Sequence, residues 1–192
     1  MVDIAGRKDL QEADLKGADL RGVDFQGANL EKANLIEANL SEANLKGANL
    51  KGADLFEANL EKAHLEEAHL IWADLRWAKL EAAYLERVHL EGAKLEGVNL
   101  ERANLKEANL EGANLKEANL KDSNLEKANL KGANLEGANL EGANFKEAFI
   151  REVYGLSPDR LSKVKTLYDA KLDEKLLIPL KEKYPGLFEK HE

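Results

Sequence analysis

The chain has 192 residues, 28 Lys or Arg against 36 Asp or Glu, a formal net charge of −8 at pH 7, and no cysteine. Without cysteine there is no disulfide or thiolate chemistry, and net acidity with no basic stripe argues against direct nucleic-acid binding. Neither a run of about 18 apolar residues nor a charged-then-apolar leader is present, so the expectation is one cytoplasmic domain, neither secreted nor membrane-spanning.

Residues 1–10 form a short lead-in, with Val2 and Ile4 available to cover the open end of the repeat. That cover is thin, so association through the N-terminal end is an open expectation. From 11 to 150 one rule holds. Leu recurs at every fifth position from Leu10 to Leu140, broken only by Phe25, and Phe145 and Ile150 keep the register. Two places before each stands a small residue, Ala13, Ala18, Val23 and so on to Ala148, with Ser123 the one polar exception. A helix advances about 100° per residue, so a step of five spirals the leucines around every face. A straight strand sends alternate leucines to opposite sides. Only a chain that is extended locally and bends once per unit can bury all of them, with Ala and Leu pointing inward and the residue between them pointing out. Gly often stands two places after the large residue, as at Gly17, Gly47 and Gly92, where a bend is cheap. Elsewhere that slot holds Glu or Lys, so a positive φ is not expected at every turn. A short fixed period of this kind marks a solenoid.

Runs such as Ala13-Asp14-Leu15-Lys16-Gly17, Ala43-Asn44-Leu45-Lys46-Gly47 and Ala58-Asn59-Leu60-Glu61-Lys62 resemble the A(D/N)LXX motif of the pentapeptide-repeat family. The resemblance implies an all-β solenoid, a right-handed quadrilateral β-helix with one unit per side and four units per coil. The 28 units between Gln11 and Ile150 then make about seven coils, a rod roughly 34 Å long at about 4.8 Å per stacked strand.

Residues 151–192 leave the repeat and are expected to form a short α-helical C-terminal cap. Ser157-Pro158-Asp159 reads as a helix start, better explained as a cap than as a modification site. Leu161, Val164, Leu167 and Tyr168 would then share one helical face. Ala170-Lys171-Leu172 resembles one more repeat core. Asp173 is placed to cap a second helix bearing Leu176, Leu177 and Leu180, shortened or kinked at Pro179 and ended by Pro185-Gly186.

With residues 20 apart stacked, the slot between Ala and Leu is Asn or Asp almost throughout. It departs in one band, His64, His69, Lys79, Tyr84, His89 and Lys94, with Asp74 conforming. His69 and His89 should stack about 4.8 Å apart. They are the candidate metal pair, imidazole being a common donor. The missing third His and the absence of Cys favour a polar ladder instead, so no metal and no cofactor is expected.

Positions after the central Leu are mostly polar or Gly, but Ile36, Phe56, Ile71, Trp72 and Trp77 are apolar. With Arg76 they are expected to converge near a shared corner as one exposed patch on coils two to four, the partner-binding candidate. Two Trp beside an Arg is the usual composition of a contact site. Away from it Glu61, Glu81 and Glu101 form an acidic column, with Glu66 and Glu86 in the next. Lys62, Arg87 and Arg102 lie alongside, which makes a solvated face the plainer reading.

Three function classes are open. A non-catalytic protein-interaction scaffold, with a protein partner or a second copy forming a homodimer, fits the patch. Some proteins of the family it resembles protect DNA gyrase by imitating duplex DNA. Between Gln11 and Ile150, however, 26 Asp or Glu face 17 Lys or Arg, a net of −9, where the same length of duplex carries about 20 negative charges. An enzyme finds no support: there is no nucleophile triad, phosphate loop or metal motif, and a Leu-filled interior leaves no cavity for a small-molecule substrate. No catalytic residue is assigned. Abundant Glu and Lys suit a thermostable or engineered surface.

Overall fold

A computed structural model describes residues 8–190. Val2 and Ile4 lie outside the described residues. The five-residue unit forms because its backbone donors are all provided for. In the unit Ala33-Asn34-Leu35-Ile36-Glu37, Leu35 N–H donates to Asp54 C=O on the next coil at 2.7 Å, and Glu37 N–H to Phe56 C=O at 2.9 Å. Asn34 N–H donates back to Ala13 C=O at 2.9 Å, and Ala33 N–H closes the preceding turn on Leu30 C=O at 3.0 Å. The fifth donor, Ile36 N–H, is taken by Asn34 Oδ1 at 3.3 Å. The Asn or Asp between Ala and Leu is thus the acceptor that the backbone lacks, which is why the repeat demands it.

These bonds stack position i parallel on i+20, from Asp9 on Asn29 to Asn124 on Asn144, along four ladders. The chain is a right-handed four-sided β-helix. Many of the Asn side chains add a second, directional ladder, the amide donating to the side-chain oxygen one coil earlier, as in Asn49 to Asn29 at 3.2 Å and Asn124 to Asn104 at 3.0 Å. The first coil carries Asp9, Asp14, Asp19 and Asp24 in that slot. Having no earlier rung to donate to, they need only accept, as from Asn29, Asn34 and Asn44 at 3.1, 3.0 and 2.9 Å.

The turn overturns one expectation. Every second turn residue from Glu12 to Glu152 has a positive φ, whether or not it is Gly: +56° at Glu12, +58° at Trp72, +63° at Gly17. With the Ala N–H bonded to the Leu C=O three residues back, this is the sign pattern of a type II turn. The left-handed region costs a side chain about 1–2 kcal/mol. It persists because the same residue's N–H is fixed to the coil above. Inside, Leu30 through Leu135 and the small-residue column from Ala28 to Ala133 are shut off from solvent, Ala13, Ala18 and Val23 of the first coil are partly buried, and Phe25 and Phe145 fill the Leu position near the two ends. Ser123 is buried and satisfied by its own turn, its hydroxyl donating to Leu120 C=O at 2.7 Å.

The stack continues beyond Ile150. Tyr154 pairs with Asn134 and Thr166 with Asn144, and strand β1 (Phe149–Ile150) pairs in parallel with β2 (Lys171–Leu172). One side of this last coil is replaced by α1 (Pro158–Leu161), started by Ser157, whose side chain accepts from Arg160 N–H. The helical face expected through Tyr168 does not form. The helix ends after one turn because Thr166, Leu167 and the Ala170-Lys171-Leu172 core return to the ladder. Arg160 bridges the displaced side, donating to Gly155 C=O and to Ala138 C=O at 2.5 Å; burial lowers its pKa. Helix α2 (Glu174–Lys183) then buries Leu176 and Leu180. Pro179 does not shorten it: the helix runs four residues further, since a Pro removes one donor only. Asp173 leaves that helix uncapped, its carboxylate accepting from Glu152 N–H at 2.9 Å. A 3-10 turn, Pro185–Phe188, closes the edge, with Leu187 C=O accepting from Leu167 N–H at 2.7 Å. No helix among the described residues is long and apolar enough to cross a membrane.

Candidate interaction surface

The decorated residues sit on the side of the rod whose ladder runs Asn34, Asp54, Asp74, Lys94. Ile71-Trp72 is the turn entering that side and Arg76-Trp77 the turn leaving it. The two Trp therefore flank one face at successive corners, where a single shared corner was expected. Both are well exposed, Trp72 at 66% and Trp77 at 50%, while Ile36, Phe56, Ile71 and Arg76 are half-buried. Stacking places Arg76 over the Phe56 ring at 5.5 Å and Lys51 over Trp72 at 5.9 Å, cation–π distances that anchor the aromatic column.

The direction in which the indoles lean was not read from the sequence. A Cβ added at Gly92 would meet Trp72 Cδ1 at 2.5 Å, and one added at Gly97 would collide with the Trp77 ring. Each indole lies on the glycine 20 residues later, so the surface reaches coil five. The signal was present, since both Trp columns continue into Gly. Gly97→Ala should displace the Trp77 ring and cost about 1 kcal/mol, mostly from the left-handed backbone. A changed tryptophan emission in an otherwise intact fold checks this; unaltered emission would mean the ring does not rest there.

Between the corners Asp74 is held by Arg76 through two parallel bonds, 2.8 and 2.7 Å, and by Lys94 at 3.3 Å. Burial pushes the Asp74 carboxyl up, but the Arg76 side-chain and backbone donors and Lys94 outweigh it and hold it below the ordinary carboxylate range. A depressed folded pKa means that the contribution is complete above about pH 4 and is lost as pH falls through the folded value. The hydrogen bond and charge of Asp74 in turn raise Arg76.

His69 and His89 stack at 4.7 Å between ring centroids with 7° between planes, and His64 stacks on Tyr84 at 4.5 Å. Parallel rings aim their nitrogens side by side, whereas one ion with bonds of about 2.0–2.1 Å needs them to converge. His89 Nδ1 turns instead to Glu91 Oε1 at 3.3 Å, which also accepts from Asn109 at 2.7 Å. Among the described residues no group of three or more His, Cys, Asp or Glu is placed to hold a metal. In the acidic columns Glu86 accepts from Asn104 at 2.6 Å and Glu101 from Asn119 at 3.2 Å. Arg87 pairs with Glu67 at 2.9 Å and Arg102 with Glu101 at 3.9 Å.

Known proteins place this geometry. The sequence profile "Pentapeptide repeats (8 copies)" matches residues 9–47, 33–70, 43–81, 83–122 and 123–153, and the chain belongs to the pentapeptide-repeat family. Among solved structures it is similar to HetL, a pentapeptide repeat protein involved in heterocyst differentiation regulation from the cyanobacterium Nostoc sp. strain PCC 7120. That likeness has 35% identity over 88% of this chain and 80% of HetL, with a TM-score of 0.47. It is also similar to QnrB1, a plasmid-mediated fluoroquinolone resistance protein, at 20% identity over 88% of this chain and 84% of that one, with a TM-score of 0.64. The QnrB1 likeness is one of fold. No curated protein matches the sequence.

Proposed function

We propose that this protein is a non-catalytic interaction scaffold, a rigid rod that holds one apolar contact surface, Ile36, Phe56, Ile71, Trp72, Arg76 and Trp77, for a protein partner. The observation that carries this reading is the pair of exposed indoles flanking a single face. Large aromatics on a hydrogen-bonded scaffold lose little conformational freedom on binding, which favours their use as anchors. Elsewhere among the described residues both signs of charge are mixed: Glu61, Glu81 and Glu101 stack but Lys121 follows in the same column, and other columns alternate, as in Lys106–Glu126 at 3.7 Å and Lys127–Glu147 at 3.6 Å. That interleaving weakens the duplex-mimic alternative, which needs an unbroken negative surface.

The test is Trp72→Lys with Trp77→Lys. Both side chains are exposed, so the circular dichroism and melting of the fold should stay close to wild type. Proteins retained by the immobilised wild-type rod, including free copies of itself, should be lost by at least about 30-fold, the weight of two hot-spot side chains. Equal retention by both forms would refute the surface.

A further inference from the structure

The face between the two Trp corners carries a charge order that complements itself when reversed. Number the coils by the ladder Asp14, Asn34, Asp54, Asp74, Lys94, Asn114, Asn134. A twofold axis lying across this face, midway between Asp74 and Lys94, would set a second rod antiparallel and exchange coil four with five, three with six, and two with seven. Asp74 then faces the partner's Lys94. On the corner of Trp72, Lys51 faces the partner's Glu111 and Glu31 faces the partner's Lys131. On the corner of Trp77, Arg76 faces the partner's Glu96. From coil two to coil seven a single like pair remains, Glu57 against the partner's Glu117. Since each indole leans from coil four onto Gly92 or Gly97 of coil five, both lie at the level of the axis. Each therefore meets its own counterpart.

We propose that this face is a homodimer interface, in which two antiparallel copies pair across a twofold axis between Asp74 and Lys94, with Trp72 and Trp77 at its centre. This rests on the contact-surface reading and names its occupant. An isologous contact must present the same patch on both sides, and a charge series that inverts about the aromatic pair meets that condition. Like charges juxtaposed elsewhere would oppose other registers. The face is about 30 Å long and, with its corners, some 15–20 Å wide. It thus offers several hundred Å² per copy, toward the lower end for specific dimers, so association should be concentration-dependent.

The decisive experiment is sedimentation velocity on wild type, Lys51→Glu and Glu111→Lys, singly and mixed in equal amounts. Both positions are exposed and lie three coils apart, about 14 Å, beyond a screening length of about 8 Å. Rescue between them within one chain is therefore excluded. Wild type should dimerise, and each variant alone should associate at least about 10-fold more weakly. The mixture should recover the dimer, because each reversed charge then faces its opposite. A wild type that stays monomeric at high concentration, or single variants that dimerise like wild type, would overturn the twofold interface. Either result spares the scaffold reading if the Trp72→Lys, Trp77→Lys rod loses a different protein that wild type retains.

Discussion

Leu85→Ala should destabilise the rod by about 3 kcal/mol and lower its melting temperature by about 6–12 °C. Leu85 is wholly shut off from solvent in the fourth stacked coil, packed between the coils that bear Leu65 and Leu105. The surrounding backbone cannot collapse into the vacated space, because each neighbouring unit is pinned to the coils above and below by its own hydrogen bonds. The cavity therefore persists, and the loss includes both the removed transfer energy and the missing contacts. The same change at Leu15, in the first coil, removes contacts on one side only and should cost about half as much. Urea unfolding of the two variants checks both figures. Equal costs would mean that the coils do not act as nearest neighbours.

Gly155→Val should cost about 3 kcal/mol or more, and should act on the last coil first. Two effects combine. The backbone there has φ +78°, a conformation a β-branched residue resists, and the new Cβ would strike the Glu136 backbone N and Cα of the coil below. The atoms struck are main chain, so no side-chain rotation relieves them. Gly155 C=O also receives Arg160, whose guanidinium replaces the missing strand bonds to Ala138. Moving that carbonyl loosens the one side of the coil that has no ladder. Gly132→Ala is the control: φ is +68°, but nothing lies within 4 Å of the added Cβ, so only the backbone term of about 1 kcal/mol applies. Amide exchange should show lost protection at Tyr154, Lys165 and Lys171, which donate to Ala133, Ala143 and Ala148, in Gly155→Val, with coils two to six unchanged. A uniform loss would contradict a locally capped end.

How much of this was legible depends on where the constraint lies. A period of five with two inward residues is a statement about backbone geometry, so the solenoid and the buried Leu and Ala columns could be read directly, whereas the stacking of His69 on His89 also needed the number of sides. Four sides needed the family, because a repeat fixes the length of a side and not the number of sides. The turn misled because Glu and Lys argue against positive φ locally. The coil-to-coil bonds that enforce it belong to residues 19 apart, as from Glu37 to Phe56. The cap misled for a related reason: Leu161, Val164 and Leu167 have helical spacing, yet Thr166 is claimed by Asn144. On the surface, Trp72 and Trp77 declared themselves by type. That they flank one face, and lean on Gly92 and Gly97, depended on knowing which corner belongs to which side.

The central claim is that this face is where the rod is touched. Hydroxyl-radical footprinting tests it without knowing the partner. The rod is labelled dilute, concentrated, and in soluble cell extract, and the oxidation of every exposed side chain is quantified. The account predicts that Trp72 and Trp77, fully reactive when dilute, become protected in at least one of the other two states, while the exposed Tyr84 on the opposite side stays reactive. Trp72 and Trp77 equally reactive in all three states, or protection confined to other faces, would contradict it.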